Sequence, residues 1–127
     1  MAGTIVASTL SDGTTTSSVT DAVKGSARAW VNFNGVTTAT IRASYNVSSV
    51  TRNGIGDYTI NFTNTLADAN YSVNVSAIYG TNGTNIIFPT LSTTGMLNTG
   101  CRVINIPSGG GTGGNLDASV YCATFFR

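Results

Sequence analysis

From Ala27 the chain alternates. Ala27, Ala29, Val31 and Phe33 fall on one face and Arg28, Trp30 and Asn32 on the other, the period of two that marks a strand with one buried side. The run ends at Asn34-Gly35, a dipeptide suited to a tight hairpin turn, so a second strand is expected over Val36 to Ala43. Extended runs follow over Tyr45 to Thr51 and Tyr58 to Thr63, and Asn53-Gly54-Ile55-Gly56-Asp57 between them is the clearest hairpin signal in the chain. Tyr71, Val73, Val75, Ala77 and Tyr79 then share one face against Ser72, Asn74 and Ser76. Gly80 to Gly83 turns the chain into Asn85 to Leu91, Cys101 to Ile106 reads as a further strand, and Gly109 to Gly114 is a pliable loop before a last strand from Asp117 to Phe126. About eight strands with turn signals at short spacing predict an all-β fold, an antiparallel β-sandwich over residues 26–127, a jelly-roll being one form it can take.

The first 25 residues read differently. A short extended run from Thr4 to Leu10 is followed by Ser11-Asp12-Gly13 and a Thr-rich stretch. Ser18 can then cap a single short helix, with Asp21 near its positive end and Lys24-Gly25 as a stop. A helix of about two turns is marginal alone. Residues 1–25 are therefore read as an arm whose helix needs a partner surface, which other copies of the chain would supply through Val19, Ala22 and Val23.

Composition narrows the function. The 127 residues fit one domain with short tails, and 41% apolar content is enough for a core. Charged residues make up only 9%, with Asp12, Asp21, Asp57, Asp68 and Asp117 nearly balancing Lys24, Arg28, Arg42, Arg52, Arg102 and Arg127. So even and sparse a charge set does not attract nucleic acid or an anionic membrane. No apolar run approaches the roughly 20 residues of a membrane span, and the start of the chain lacks the charged and apolar regions of a signal peptide. The expectation is a protein made in a cytoplasm, without membrane insertion.

The chain has no His, Glu or Gln, which removes the commonest proton shuttle and imidazole metal ligand. No cofactor, metal or catalytic set is expected, and the reading is non-enzymatic. Asp57 and Asp68 could pose as a glycosidase pair, but each lies in a turn signature where a short acid bonds its own backbone. Gly109 to Gly114 lacks the Lys-Ser/Thr of a phosphate loop. The sequons at Asn46, Asn61, Asn70, Asn74 and Asn82 are read as polar positions on sheet faces. Cys101 and Cys122 are read first as a buried thiol pair, then as a disulfide, and last as a reactive thiol. Tyr58, Tyr71 and Tyr79 belong to the core by their alternation, whereas Trp30 is out of phase with its apolar neighbours and is the better candidate for a ligand or intersubunit contact.

Four blocks in order, Ala29 to Gly35, Ile41 to Val50, Asn53 to Phe62 and Asp68 to Tyr71, resemble a module of bacteriophage tail-fibre and related virion proteins of the marine phage and prophage type. The resemblance covers about 50 residues, with a similar tone at Ala118 to Phe126. Two departures are visible: Arg52 stands where an acidic residue is usual, and Leu66-Ala67 where Met-Pro is common. The resemblance implies a non-enzymatic virion component, usually a homotrimer, whose arm attaches to other virion proteins and whose β domain is displayed outward.

The leading expectation is thus a short trimeric tail fibre or knob that contacts the host surface, a surface glycan being one candidate partner. The alternative is a capsid decoration or tail structural protein that binds no receptor. Loops on a rigid sandwich are where recognition usually lies, so Trp30, Tyr79, Thr81, Asn82, Thr84, Asn85, Ser108, Thr112 and Asn115 are the candidate host-facing or interface residues.

Overall fold

The computed structural model describes residues 3, 6–78, 87–107 and 115–127. The arm consists of β1 (Thr9–Ser11), β2 (Thr16–Ser18) and α1 (Val19–Gly25). Asp12 closes the β1–β2 turn by accepting from the main-chain N–H groups of Thr14 (2.9 Å) and Thr15 (2.7 Å), an arrangement that short acidic side chains favour. The helix is tied back where Val19 N donates to Ser8 O at 2.9 Å.

The sandwich contains β3 (Ala27–Asn34), β4 (Thr40–Tyr45), β5 (Val47–Gly54), β6 (Asp57–Phe62), β7 (Ser72–Ile78), β8 (Ile87–Leu97), β9 (Gly100–Pro107) and β10 (Val120–Phe126). They form two antiparallel four-stranded sheets, ordered β4-β3-β10-β7 and β5-β6-β9-β8. The expected all-β sandwich is present, but its connectivity is not that of a jelly-roll. There, almost every connection crosses between sheets; here β3–β4, β5–β6 and β8–β9 are neighbours within a sheet.

The crossing from β4 to β5 is made at one residue. Asn46 takes φ 54°, a left-handed conformation that Asn tolerates better than most residues. Its Nδ2 donates to Arg28 O and Asn64 O (both 3.1 Å) while Oδ1 accepts from Asn64 N (2.8 Å). Asn46 is thus a corner staple and not a sheet-face position; Asn70, whose N–H donates to Asp68 Oδ1 at 2.7 Å, is likewise in a turn.

The inward faces close around two aromatic groups. Phe33 stacks on Tyr121 with centroids 5.0 Å apart, and Tyr58 meets them edge-on at 5.1 and 5.8 Å. Toward the other end, Phe62, Tyr71 and Phe125 meet edge to face at 5.0 to 6.0 Å. Burying rings of this size is worth about 1.5–3 kcal/mol each, with a further gain from the edge-to-face geometry. Tyr58 and Tyr71 are core residues, as their alternation predicts, and Tyr79 lies outside the described residues.

Close approach explains two glycines. A Cβ on Gly35 would stand 2.2 Å from the Tyr58 hydroxyl oxygen. Gly35 N also donates to Ala118 O at 2.8 Å. This docking holds residues 35–39 as a wider loop, so β4 begins at Thr40 and not at Val36 as the Asn-Gly signal suggests. Gly56 has φ 64°, and a Cβ there would lie 2.6 Å from Leu116 O. The β5–β6 turn can therefore pack under the Asn115–Asp117 segment.

Cys101 lies on the inward face of β9 and is fully buried, whereas Cys122 lies on the outward face of β10 in the other sheet; both are free. They form neither a buried pair nor a disulfide, because opposite sheets point them in different directions. Burial pushes the Cys101 thiol up to about 11, which keeps it protonated and unreactive.

Candidate functional site: the two outer faces

On the first sheet the outward positions of β3 are Arg28, Trp30 and Asn32, as their alternation predicts. Trp30 is 39% exposed and stands directly across the ladder from Tyr45, itself 58% exposed. On its other side Trp30 faces Thr124, which in turn faces Asn74. One row of this sheet therefore presents two aromatic side chains beside a hydroxyl and an amide.

The strand ends beside that row open into a cleft of about 350 Å³. Arg28 reaches it from β3, Tyr45 and Asn46 from the β4–β5 corner, Asn64 to Ala67 from the connection after β6, and Arg127 from beyond β10. Leu66, 7% exposed, supplies a buried apolar anchor in this segment. Arg28 is held in place by its Nε, which donates to the main-chain oxygen of Arg127 at 3.0 Å. Arg127 pairs with Asp68, whose carboxyl is held below its ordinary value by that guanidinium and by the Asn70 N–H.

The second sheet's outer face is bonded to itself. Asn61 Nδ2 donates to Ser49 Oγ (3.0 Å) and Thr51 Oγ1 (3.3 Å), and Asn53 Nδ2 donates to Asp57 Oδ1 (3.0 Å) and Thr59 Oγ1 (2.9 Å). Arg102 grips Asp57 with two bonds, Nε to Oδ1 at 2.9 Å and NH2 to Oδ2 at 2.5 Å. Hydrogen bonds from Arg102 hold the Asp57 carboxyl below the usual range despite its partial burial. Asp57 was expected to bond its own turn; it bonds side chains of neighbouring strands instead, because the turn needs no cap once Gly56 supplies the positive φ.

A third polar cluster closes one end of the sandwich. Asp117 accepts from Arg52 Nε and NH2 (3.1 and 2.7 Å), from Gly56 N (2.8 Å) and from Tyr58 Oη (2.8 Å). Burial pushes its carboxyl up, but these donors outweigh it and leave it below the ordinary value. Arg52, the departure from the resembled pattern, thus has a partner within the fold. Asp68 does follow its turn reading, through the bond from Asn70 N, with Arg127 added.

Of the sequence-predicted site residues, Trp30 lies on the first sheet's open face and Asn115 is exposed beside the Gly56 turn. Tyr79, Thr81, Asn82, Thr84, Asn85, Ser108 and Thr112 lie outside the described residues. Val19 and Ala22 are half-buried and Val23 is 44% exposed, on the helix of the arm. Sequence reasoning missed Arg28, Asn46, Asn64 and Arg127. Arg28 had a usable signal, since it shares the outward phase of Trp30; the others meet only through the corner and the strand ends. Compared with known protein families, curated proteins and solved structures, the chain has no match.

Proposed function

We propose that this chain is a non-enzymatic structural protein of a bacteriophage particle, a short trimeric tail fibre or knob whose sandwich is displayed outward and contacts the host surface. The observation that carries the reading is the unequal division of the chain. The sandwich closes its own core, whereas no described side chain of the arm is buried, and Val6, Leu10 and Val23 are 94%, 54% and 44% exposed. Such apolar exposure on a small element is satisfied by contact with another chain. Copies of the arm around a three-fold axis, docked on other virion proteins, would cover it.

The resembled blocks support the same reading, since they fall on consecutive working parts of the fold: the β3 strand, the β4–β5 corner, the β5–β6 hairpin and the Asp68 turn. Four of the five carboxylates are engaged within the fold. Asp12, Asp57, Asp68 and Asp117 are all held below their ordinary values by hydrogen bonds or arginine partners, which makes them poor proton donors near neutral pH.

Light scattering on the purified chain should give a trimer mass, and Val23→Asp should lower it to that of a monomer. Immunogold labelling of particles should decorate the tail. A monomer in the unmodified chain removes the trimer, and gold over the capsid shell would favour the decoration role instead.

A further inference from the structure

We propose that the cleft at Arg28 and Tyr45, with the adjoining Trp30 ring, is a binding site for an acidic saccharide, a pyranose bearing a carboxylate. The proposal rests on the host-contact reading above and places recognition at one end of the first sheet's outer face, with the adjoining corner and connection, and not at the loop residues expected from the sequence.

The geometry supplies each part such a ligand needs. Trp30 and Tyr45 stand opposite each other on adjacent strands and remain 39% and 58% exposed. Aromatic side chains left outward on a sheet face present flat apolar area against which the C–H face of a sugar ring can lie. The cleft beside them holds about 350 Å³, within the range of small-ligand sites. The main-chain oxygen of Arg127 fixes Arg28 from one side through Nε alone, which leaves the rest of its fork for a second partner.

Charge selects the acidic form. Arg28 and Arg127 bring two guanidinium groups to the cleft, and Asp68 is the one side-chain carboxylate paired there. Asp68 already holds Arg127, so the part-used Arg28 fork is the group left to meet an acid, and the other described carboxylates are engaged elsewhere, Asp12 with main-chain N–H groups, Asp57 with Arg102 and Asp117 with Arg52. A planar guanidinium matches a carboxylate with two parallel hydrogen bonds. The amide of Asn64 also lines the cleft and suits the sugar hydroxyls.

The test uses the whole chain on an array of immobilised oligosaccharides bearing hexuronic or nonulosonic acids, each beside its carboxyl-reduced counterpart and neutral controls. Saturable binding to at least one acidic member is expected, at least ten-fold weaker on the reduced counterpart and weakened by added salt. Arg28→Ala should abolish the preference for the acid, Arg28→Lys should restore part of it, and Trp30→Ala should weaken both forms when compared at equal folded concentration. Silence of every acidic member, equal binding of the reduced forms, or indifference to both the Arg28 and Trp30 substitutions would overturn the proposal. Antibody block of particle adsorption separates the two readings. If it succeeds while the array fails, host contact stands and this site falls; if the chain is absent from particles, the virion reading falls by itself.

Discussion

The outer faces of the two sheets have similar amino acids and differ in how far the polar side chains are bonded to one another. On the second sheet, Ser49, Thr51, Asn53, Asp57, Thr59, Asn61 and Arg102 are bonded to one another. On the first, Arg42, Asn32 and Cys122 are bonded in the same way, but toward the Arg28 end Trp30 and Tyr45 project into solvent beside a cleft that carries Arg28. A face whose donors and acceptors are mutually satisfied has little to offer a ligand, since each contact must first displace an internal bond. A face with exposed rings and part-used guanidinium groups gives up less. The contrast shows why residue type alone is a poor guide to a binding surface in an Asn- and Thr-rich chain: what matters is whether the polar groups already have partners.

The largest effect should come from the corner that joins the two sheets. Asn46→Ala removes three hydrogen bonds and leaves Ala at φ 54°, which should lower stability by about 2–3 kcal/mol in urea unfolding. Asn46→Gly relieves the backbone cost and should recover about 1 kcal/mol of that loss. Both variants should also deform the cleft, so this substitution tests its shape and not its chemistry.

Next comes the closed face. Asp57→Ala strips partners from Arg102 and Asn53 and should cost about 1–2 kcal/mol, limited because the Arg102 side chain is 43% exposed. It should leave any ligand binding unchanged. Asp57→Asn should cost less, since the amide oxygen still accepts.

Acid should separate the faces more gently. Asp57 and Asp68 both have folded-state values below the unfolded one. Each therefore adds stability above about pH 4, and that contribution is lost as pH falls through the lowered value. Asp68 pairs at the surface, 38% exposed, where such pairs contribute little. Unfolding between pH 6 and 3 should show a decline that Asp57→Asn partly flattens and Asp68→Asn hardly alters. Smallest of all should be Tyr45→Ser, with a stability change within about 0.5 kcal/mol at so exposed a position.

Much of the scaffold was legible because the sequence alternates strictly where one side is buried. Ala29, Val31 and Phe33 in β3, and Tyr58, Ile60 and Phe62 in β6, are all buried as their phase predicts. The Asn34-Gly35 turn was misread because its geometry is set by the Tyr58 hydroxyl and Ala118, distant in sequence. β8 was read as ending at Leu91 but runs to Leu97, because an irregularity between Leu91 and Met96 breaks its alternation. Trp30 was legible as a site residue by its phase alone. The cleft was not, since Asn64 and Arg127 reach it through a connection and a strand end, and pairing across sheets leaves no local pattern.

The most direct test of placing recognition on the open face is a titration of fluorescently labelled protein onto candidate host cells, with Trp30→Ala and Asn61→Ala compared at equal folded concentration. The account predicts that Trp30→Ala loses saturable binding while Asn61→Ala, on the bonded face, retains it. Loss in Asn61→Ala with retention in Trp30→Ala would contradict it.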